Sequence, residues 1–223
     1  LLEFSMISTF SRSVRTFALV ALASLPAFAA NYTVDGAHSR VGFGVKHMMV
    51  TTVKGDFKKF SGTVVIDDAD LTKSTVKVEI ETASVDTGVG KRDEHLKSAE
   101  FFDVAKFPKM TFASTSVAKA GDKLSIAGDL MLHGVTKPVT LTVEGPSKEW
   151  TNPWGQVVRG ASATTKINRK DFGLSWGPVT EAGAVVVGDE VSIELELELT
   201  KVVEAPKAAE RPAEKKDEKP AKK

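Results

Sequence analysis

The 223-residue sequence predicts an all-β domain, either a closed barrel or a two-sheet sandwich. Apolar and polar residues alternate with period two through most of the chain, turn residues interrupt that alternation at short intervals, and the alternating segments number about eight or nine. The pattern is cleanest in Val191-Ser192-Ile193-Glu194-Leu195-Glu196-Leu197-Glu198-Leu199, where one face is aliphatic and the other is Ser and Glu. Successive side chains of a strand point to opposite faces of the sheet, so this is a strand wet on one side only.

Taken in order, the chain opens on a targeting segment. Arg12 and Arg15 precede a short apolar run, Phe17 to Leu25, and Pro26 and Ala27-Phe28-Ala29 supply a small-x-small cleavage site. The run is shorter than the ~20 residues needed to span a bilayer, so residues 1–29 are expected to be a cleaved signal peptide with a short upstream extension before Met6, and the mature protein to be exported. The β domain is expected over residues 30–204. Its strands are expected at Val41 to His47, Phe57 to Ile66, Val76 to Glu81, Met110 to Val117, Leu124 to Leu132, Val139 to Glu144, Val157 to Asn168 and Val191 to Leu199. Ala120-Gly121-Asp122, Gly145-Pro146-Ser147 and Gly188-Asp189 read as turns.

Two stretches break the rhythm. Lys91 to Ser98 is charged and lacks β-branched residues, which predicts a short helix; Phe101-Phe102-Asp103-Val104 follows, and Phe107-Pro108 ends the excursion. Asn168 to Val187 is glycine-rich and holds Trp176-Gly177-Pro178. Both are candidate lids or mouth loops. Residues 205–223 are Pro, Ala, Lys and Glu without apolar periodicity and are expected to form a disordered tail, solubilising in the first instance, with transient membrane contact as the alternative.

Composition removes several functions. There is no cysteine, so disulfides, thiolate metal sites and lipid attachment at an N-terminal Cys are excluded. Removing Arg12, Arg15 and Glu3 with the leader takes 30 basic and 29 acidic residues to 28 of each, and a neutral chain has no electrostatic reason to bind nucleic acid. His38, His47, His95 and His133 have no close metal-ligand spacing, and no metal is expected. His47 continues the inward parity of its strand and is a candidate ligand contact, whereas His38 is expected to be a hydrogen-bonded structural residue. There is no Gly-x-Ser-x-Gly elbow and no clustered acid pair, and Asp86-Thr87-Gly88-Val89-Gly90-Lys91 lacks the spacing of a phosphate-binding P-loop.

The alternation assigns an inward face: Val41, Phe43, Val45, Phe57, Val78, Ile80, Phe112, Leu130, Leu132, Leu141, Ile193, Leu195 and Leu197. An eight-stranded barrel encloses either a side-chain core or one small ligand, and the pattern leaves both open.

The order of short motifs goes further. Tyr32-Thr33-Val34-Asp35-x-x-His38-Ser39-x-Val41-x-Phe43-x-Val45-x-His47 is followed by Gly55-Asp56-Phe57-x-x-Phe60-x-Gly62 and Ser84-Val85-x-Thr87-Gly88. Then come Arg92-Asp93-x-His95-Leu96-x-Ser98, Phe101-Phe102-Asp103, Phe107-Pro108-x-Met110-x-Phe112, Gly128-x-Leu130-x-Leu132-His133-Gly134-Val135-Thr136-Lys137-Pro138-Val139 and Arg169-x-Asp171-Phe172-Gly173-Leu174. Together these resemble the YceI family of periplasmic lipid-binding proteins across essentially the whole domain. The resemblance implies an extended eight-stranded antiparallel lipocalin-like β-barrel with a short helix and a ligand cavity. It also implies a periplasmic binding or carrier protein, not an enzyme, with no cofactor beyond a bound lipid: a polyprenyl phosphate or pyrophosphate, an isoprenoid quinone, or, as alternatives, a fatty acid or amide and a quinone-linked redox role. A homodimer stays open. A pyrophosphate head would need cations near the mouth, for which Arg92 and Arg169, beside Lys91 and Lys170, are candidates; the competing expectation pairs them with Asp93 and Asp171. Phe101, Phe102 and Trp176 either cap the cavity or belong to a satellite core.

Overall fold

The computed structural model of the protein describes residues 29–178 and 185–203; the expected leader up to residue 28, the charged tail and residues 179–184 lie outside the described residues. The strands are β1 (Ala30–Val34), β2 (Arg40–His47), β3 (Thr51–Phe57), β4 (Phe60–Ile66), β5 (Thr75–Glu81), β6 (Val85–Asp86), β7 (Lys109–Ala120), β8 (Lys123–Leu132), β9 (Val135–Glu144), β10 (Trp150–Thr151), β11 (Val157–Asn168) and β12 (Val187–Lys201). One helix, α1 (Gly90–Lys97), stands one residue from the predicted span.

These strands make a closed antiparallel barrel of eight staves. One edge of β12 pairs with the length of β11, and its other edge pairs first with β2 and then with β1, so β1 and β2 form a single interrupted stave. β3 and β4 repeat the arrangement beside them, as do β5 and β6. β5 then meets β7, followed by β8, β9 and β11, and the β11–β12 ladder closes the ring. Closure removes the exposed sheet edges that an open sandwich would have to protect.

Several local departures from simple strands follow from hydrogen-bond needs. The expected strand over Phe57 to Ile66 is split at Lys58-Lys59, where Ser84 takes over the ladder: its carbonyl accepts from Lys58 N at 3.1 Å and its Oγ from Lys59 N at 3.0 Å. A bulge between Ser114 and Ser116 of β7 shifts the register by one, turning the inward set from Met110 and Phe112 to Val117. Pro138 is tolerated within β9 because the ladder with β11 is confined to residues 142–144, leaving that edge unpaired at Pro138. Gly188-Asp189, expected as a turn, instead lies inside β12, at an irregularity between Val187 and Val191.

One end of the barrel is plugged. Leu71, in the 3-10 turn Leu71–Lys73, packs against a cluster around Phe112, Leu124 and Val143 and another around Tyr32, Ile66 and Leu199. Above it, Tyr32 donates its hydroxyl to Glu149 at 2.6 Å, Lys201 reaches the same carboxylate at 2.7 Å, and buried Arg159 forms a two-pronged pair with Asp68 at 2.8 and 2.7 Å. Tyr32 is 1% exposed. Burial first, and then the bond to Glu149, push its phenol from 10.0 up to about 12. The fold favours the protonated phenol, so this contribution is complete below pH 10 and is lost as pH rises through about 12. The expected effect is on the order of 2 kcal/mol. Urea unfolding of the wild type and of Tyr32→Phe at both ends of that window measures it, and because the chain has one tyrosine, ultraviolet titration reports this group alone.

Candidate functional site: an apolar cavity with a polar mouth

Inside the barrel is a cavity of about 430 Å³, within the range of small-molecule sites. Every stave contributes to its wall: Val41, Phe43, Val45 and His47 from β2, Phe57 from β3, Val78 and Ile80 from β5, Phe112 from β7, Leu130 and Leu132 from β8, Leu141 from β9, and Ile193, Leu195 and Leu197 from β12. Phe101, Phe102 and Trp176 line it as well. Val45, Val78, Ile80, Leu130, Leu141, Ile193, Leu195 and Leu197 are only partly buried although they face the barrel interior, because no side chain fills the space before them, whereas Val41 and Leu132 are buried in the core cluster. β11 provides the room. Its inward positions run Ala161, Ala163, Thr165 and Ile167, and the first three are smaller than their neighbours across the ladder. Gly128, also at inward parity, has no room for a Cβ, which would lie 2.4 Å from the Phe112 ring.

The polar lining is unevenly distributed. The plugged end is apolar apart from Ser74, whereas Lys46, His47, Thr87, Arg92, His95 and Arg169 gather at the other end. Lys46 and His47 are exposed to solvent while lining the cavity, which places its mouth at the tip of β2. Aromatic rings frame that mouth. Trp176 lies 4.8 Å from the His95 ring and 5.0 Å from Phe101, and Phe57 bridges Phe43 and Phe102 at 5.6 Å each. His95 is held by Glu100.

The two arginines proposed for a head group have different surroundings. Arg92 bonds Thr87 through Nε at 2.7 Å and through a terminal nitrogen to its carbonyl at 2.9 Å, leaving its other N–H donors without a protein partner among the described residues. Asp93 does not pair with it; that carboxylate accepts from the backbone and hydroxyl of Thr87, fixing the glycine loop against the start of α1. Arg169 does not pair with Asp171 and is not available to a ligand. Its guanidinium donates to the carbonyls of Gly188, Leu174, Trp176 and Val187 and to Asp189, occupying all its donors. Burial pulls its pKa below the ordinary value, and Asp189 opposes that shift. It is the peg that ties the Leu174 to Trp176 segment to the irregular start of β12. The sequence could not show this, because four of its five acceptors are backbone carbonyls.

A cation site is conceivable only outside the lumen among the described residues. Asp35, His38 and Glu198 bring three ligand atoms within 4.8 Å of one another. Glu198 arrives from β12, far along the chain, which is why spacing alone missed it. Asp35 and His38 already pair at 2.9 Å, and that bond raises the His38 pKa and lowers that of Asp35.

A closed antiparallel barrel built around an apolar cavity with one polar mouth defines the class of lumen-bearing β-barrels. The chain belongs to the YceI family: the YceI-like domain matches residues 32–199. It is 42% identical over 179 residues to Protein YceI of Salmonella agona, covering 78% of this chain and 93% of the relative. In structure it is similar to BcnA of Burkholderia cenocepacia, with a TM-score of 0.64 and 29% identity over 74% of this chain and 98% of that one. A polyisoprenoid binding domain from Saccharophagus degradans shares the fold, with a TM-score of 0.55, 19% identity and coverage of 78% and 99%.

Proposed function

We propose that this protein is a periplasmic carrier that holds a long isoprenoid lipid in its lumen, as a polyprenyl phosphate or pyrophosphate or an isoprenoid quinone. The observation that carries the reading is the distribution of polarity: eight staves of apolar wall and one mouth bearing Lys46, His47, Thr87, Arg92 and His95. Each buried methylene contributes about 0.8 kcal/mol, so a chain of several isoprene units is retained by the wall with few polar contacts. The mouth then orients the head, with Arg92 the cation best placed to meet phosphate, because Thr87 fixes it without consuming all its donors. The family membership and the binding domain that shares the fold support a binding role in place of catalysis.

Organic extraction of the purified protein followed by mass spectrometry is expected to release an isoprenoid lipid in near-stoichiometric amount, and an ultraviolet scan of the extract separates a quinone from a polyprenyl phosphate. Extracts that contain only fatty acids or amides assign the lumen to acyl chains. Extracts with no lipid at all overturn the reading.

A further inference from the structure

The loop between β2 and β3 exposes three consecutive apolar side chains, Met48, Met49 and Val50, the last two at 66% and 80%. Met48 and Met49 hold φ of 50° and 58°, the left-handed region that Asn, Asp and Gly adopt far more readily. Turn chemistry therefore disfavours methionine at both positions, and packing does not require it, since neither side chain is buried. Two further exposed apolar residues adjoin cavity-lining residues in sequence. Val89 leads into α1 between the mouth residues Thr87 and Arg92, and Val185 precedes the lumen residues Val186 and Val187. Met48 N donates to Val186 O at 2.9 Å, sewing the hairpin tip to that segment.

The hairpin tip itself is basic. From Lys46 to Lys54 the hairpin carries two lysines and no carboxylate. Acids on the neighbouring segments are held by other groups: Asp93 by Thr87, Asp86 by Lys58, Glu94 by Lys97, Glu100 by His95, Asp189 by Lys170 and Glu190 by Lys166. Among the described residues, Lys46 and Lys91 have no carboxylate within 4.0 Å. Apolar side chains on a projecting tip with basic residues behind them match the interface of an anionic bilayer, where apolar groups enter the acyl boundary and lysines meet phosphate.

We propose that the barrel mouth docks on an anionic phospholipid bilayer, with Met48 to Val50 in the interface and Lys46 and Lys91 facing the head groups, so that the lumen opens onto the membrane. The purpose of this docking rests on reading the lumen as a lipid site, but its test does not. The full protein is expected to co-sediment with phosphatidylcholine–phosphatidylglycerol vesicles and weakly or not at all with phosphatidylcholine alone, and salt should weaken the binding. Met49→Asp with Val50→Asp, compatible with the left-handed turn, should reduce binding about tenfold or more. Lys46→Glu with Lys91→Glu should abolish the preference for anionic vesicles. Trp150→Ala with Trp154→Ala, which removes exposed aromatics near the plugged end, should leave binding unchanged. The proposal is overturned by a wild type that does not sediment with anionic vesicles, or by Met49→Asp/Val50→Asp binding as the wild type does. It is also overturned if that double variant converts a dimer to a monomer while neither form binds vesicles, which would make a second copy the occupant. Lipid extraction from the same samples separates the two readings: vesicle binding by a protein that yields no lipid upholds docking and removes the carrier role.

Discussion

Replacing Ala163 with tryptophan is expected to displace the ligand from the barrel. Ala163 sits mid-stave on β11, opposite Val143 of β9 on one side and Leu195 of β12 on the other, and its methyl faces the cavity. Ala163 is buried against Phe112, Val143 and Leu195, so an indole there pushes those side chains into the cavity as well as entering it itself, and the urea midpoint of the variant reports the packing cost separately. Excluding three or four methylenes at about 0.8 kcal/mol each weakens retention by roughly 3 kcal/mol, on the order of a hundredfold. Lipid recovered per mole of purified protein reads this directly. Thr164→Trp is the matched control, because Thr164 points outward and is exposed. Equal lipid loss in both variants would refute the assignment of the lumen as the site.

The second large effect concerns stability. Arg169→Ala removes a buried guanidinium, 4% exposed, and leaves four backbone carbonyls and Asp189 without their shared donor. Breaking a buried charged network on one side costs about 3–5 kcal/mol, because the abandoned acceptors stay desolvated. The urea midpoint should fall accordingly. Arg169→Lys should recover little, since an ammonium offers three donors from one point and cannot reach acceptors spread around a planar fork. A midpoint within experimental error of the wild type would show that the Leu174 to Trp176 segment is held by something else.

Much of the wall was legible because a strand has a fixed period. Once Ile193, Leu195 and Leu197 were separated from Glu194, Glu196 and Glu198, each side's neighbours followed, and all the alternating residues assigned inward line the cavity. The pattern failed where a residue is inserted or a strand breaks. Val117 continues the Met110 and Phe112 strand in the sequence, which carries no sign of the bulge that turns it inward. Ala161 and Ala163 went unnoticed for another reason: a small residue carries almost no hydrophobic signal, yet its smallness is what leaves space. Arg169 stands out in the sequence as a head-group candidate because its charge is visible there and its carbonyl partners are not.

By itself the sequence determined the all-β class, the short helix, the face each strand turns inward and, through its ordered motifs, the family. These are local properties, set by side-chain alternation and turn chemistry within a few residues. Only the tertiary structure decided that the sheet closes into eight staves around unfilled space, that its polar groups collect at one end, and that Tyr32 and Arg159 plug the other. Those outcomes depend on strand register and on which distant residues meet across the ring, and an alternating pattern is identical whether the barrel it builds is full or hollow.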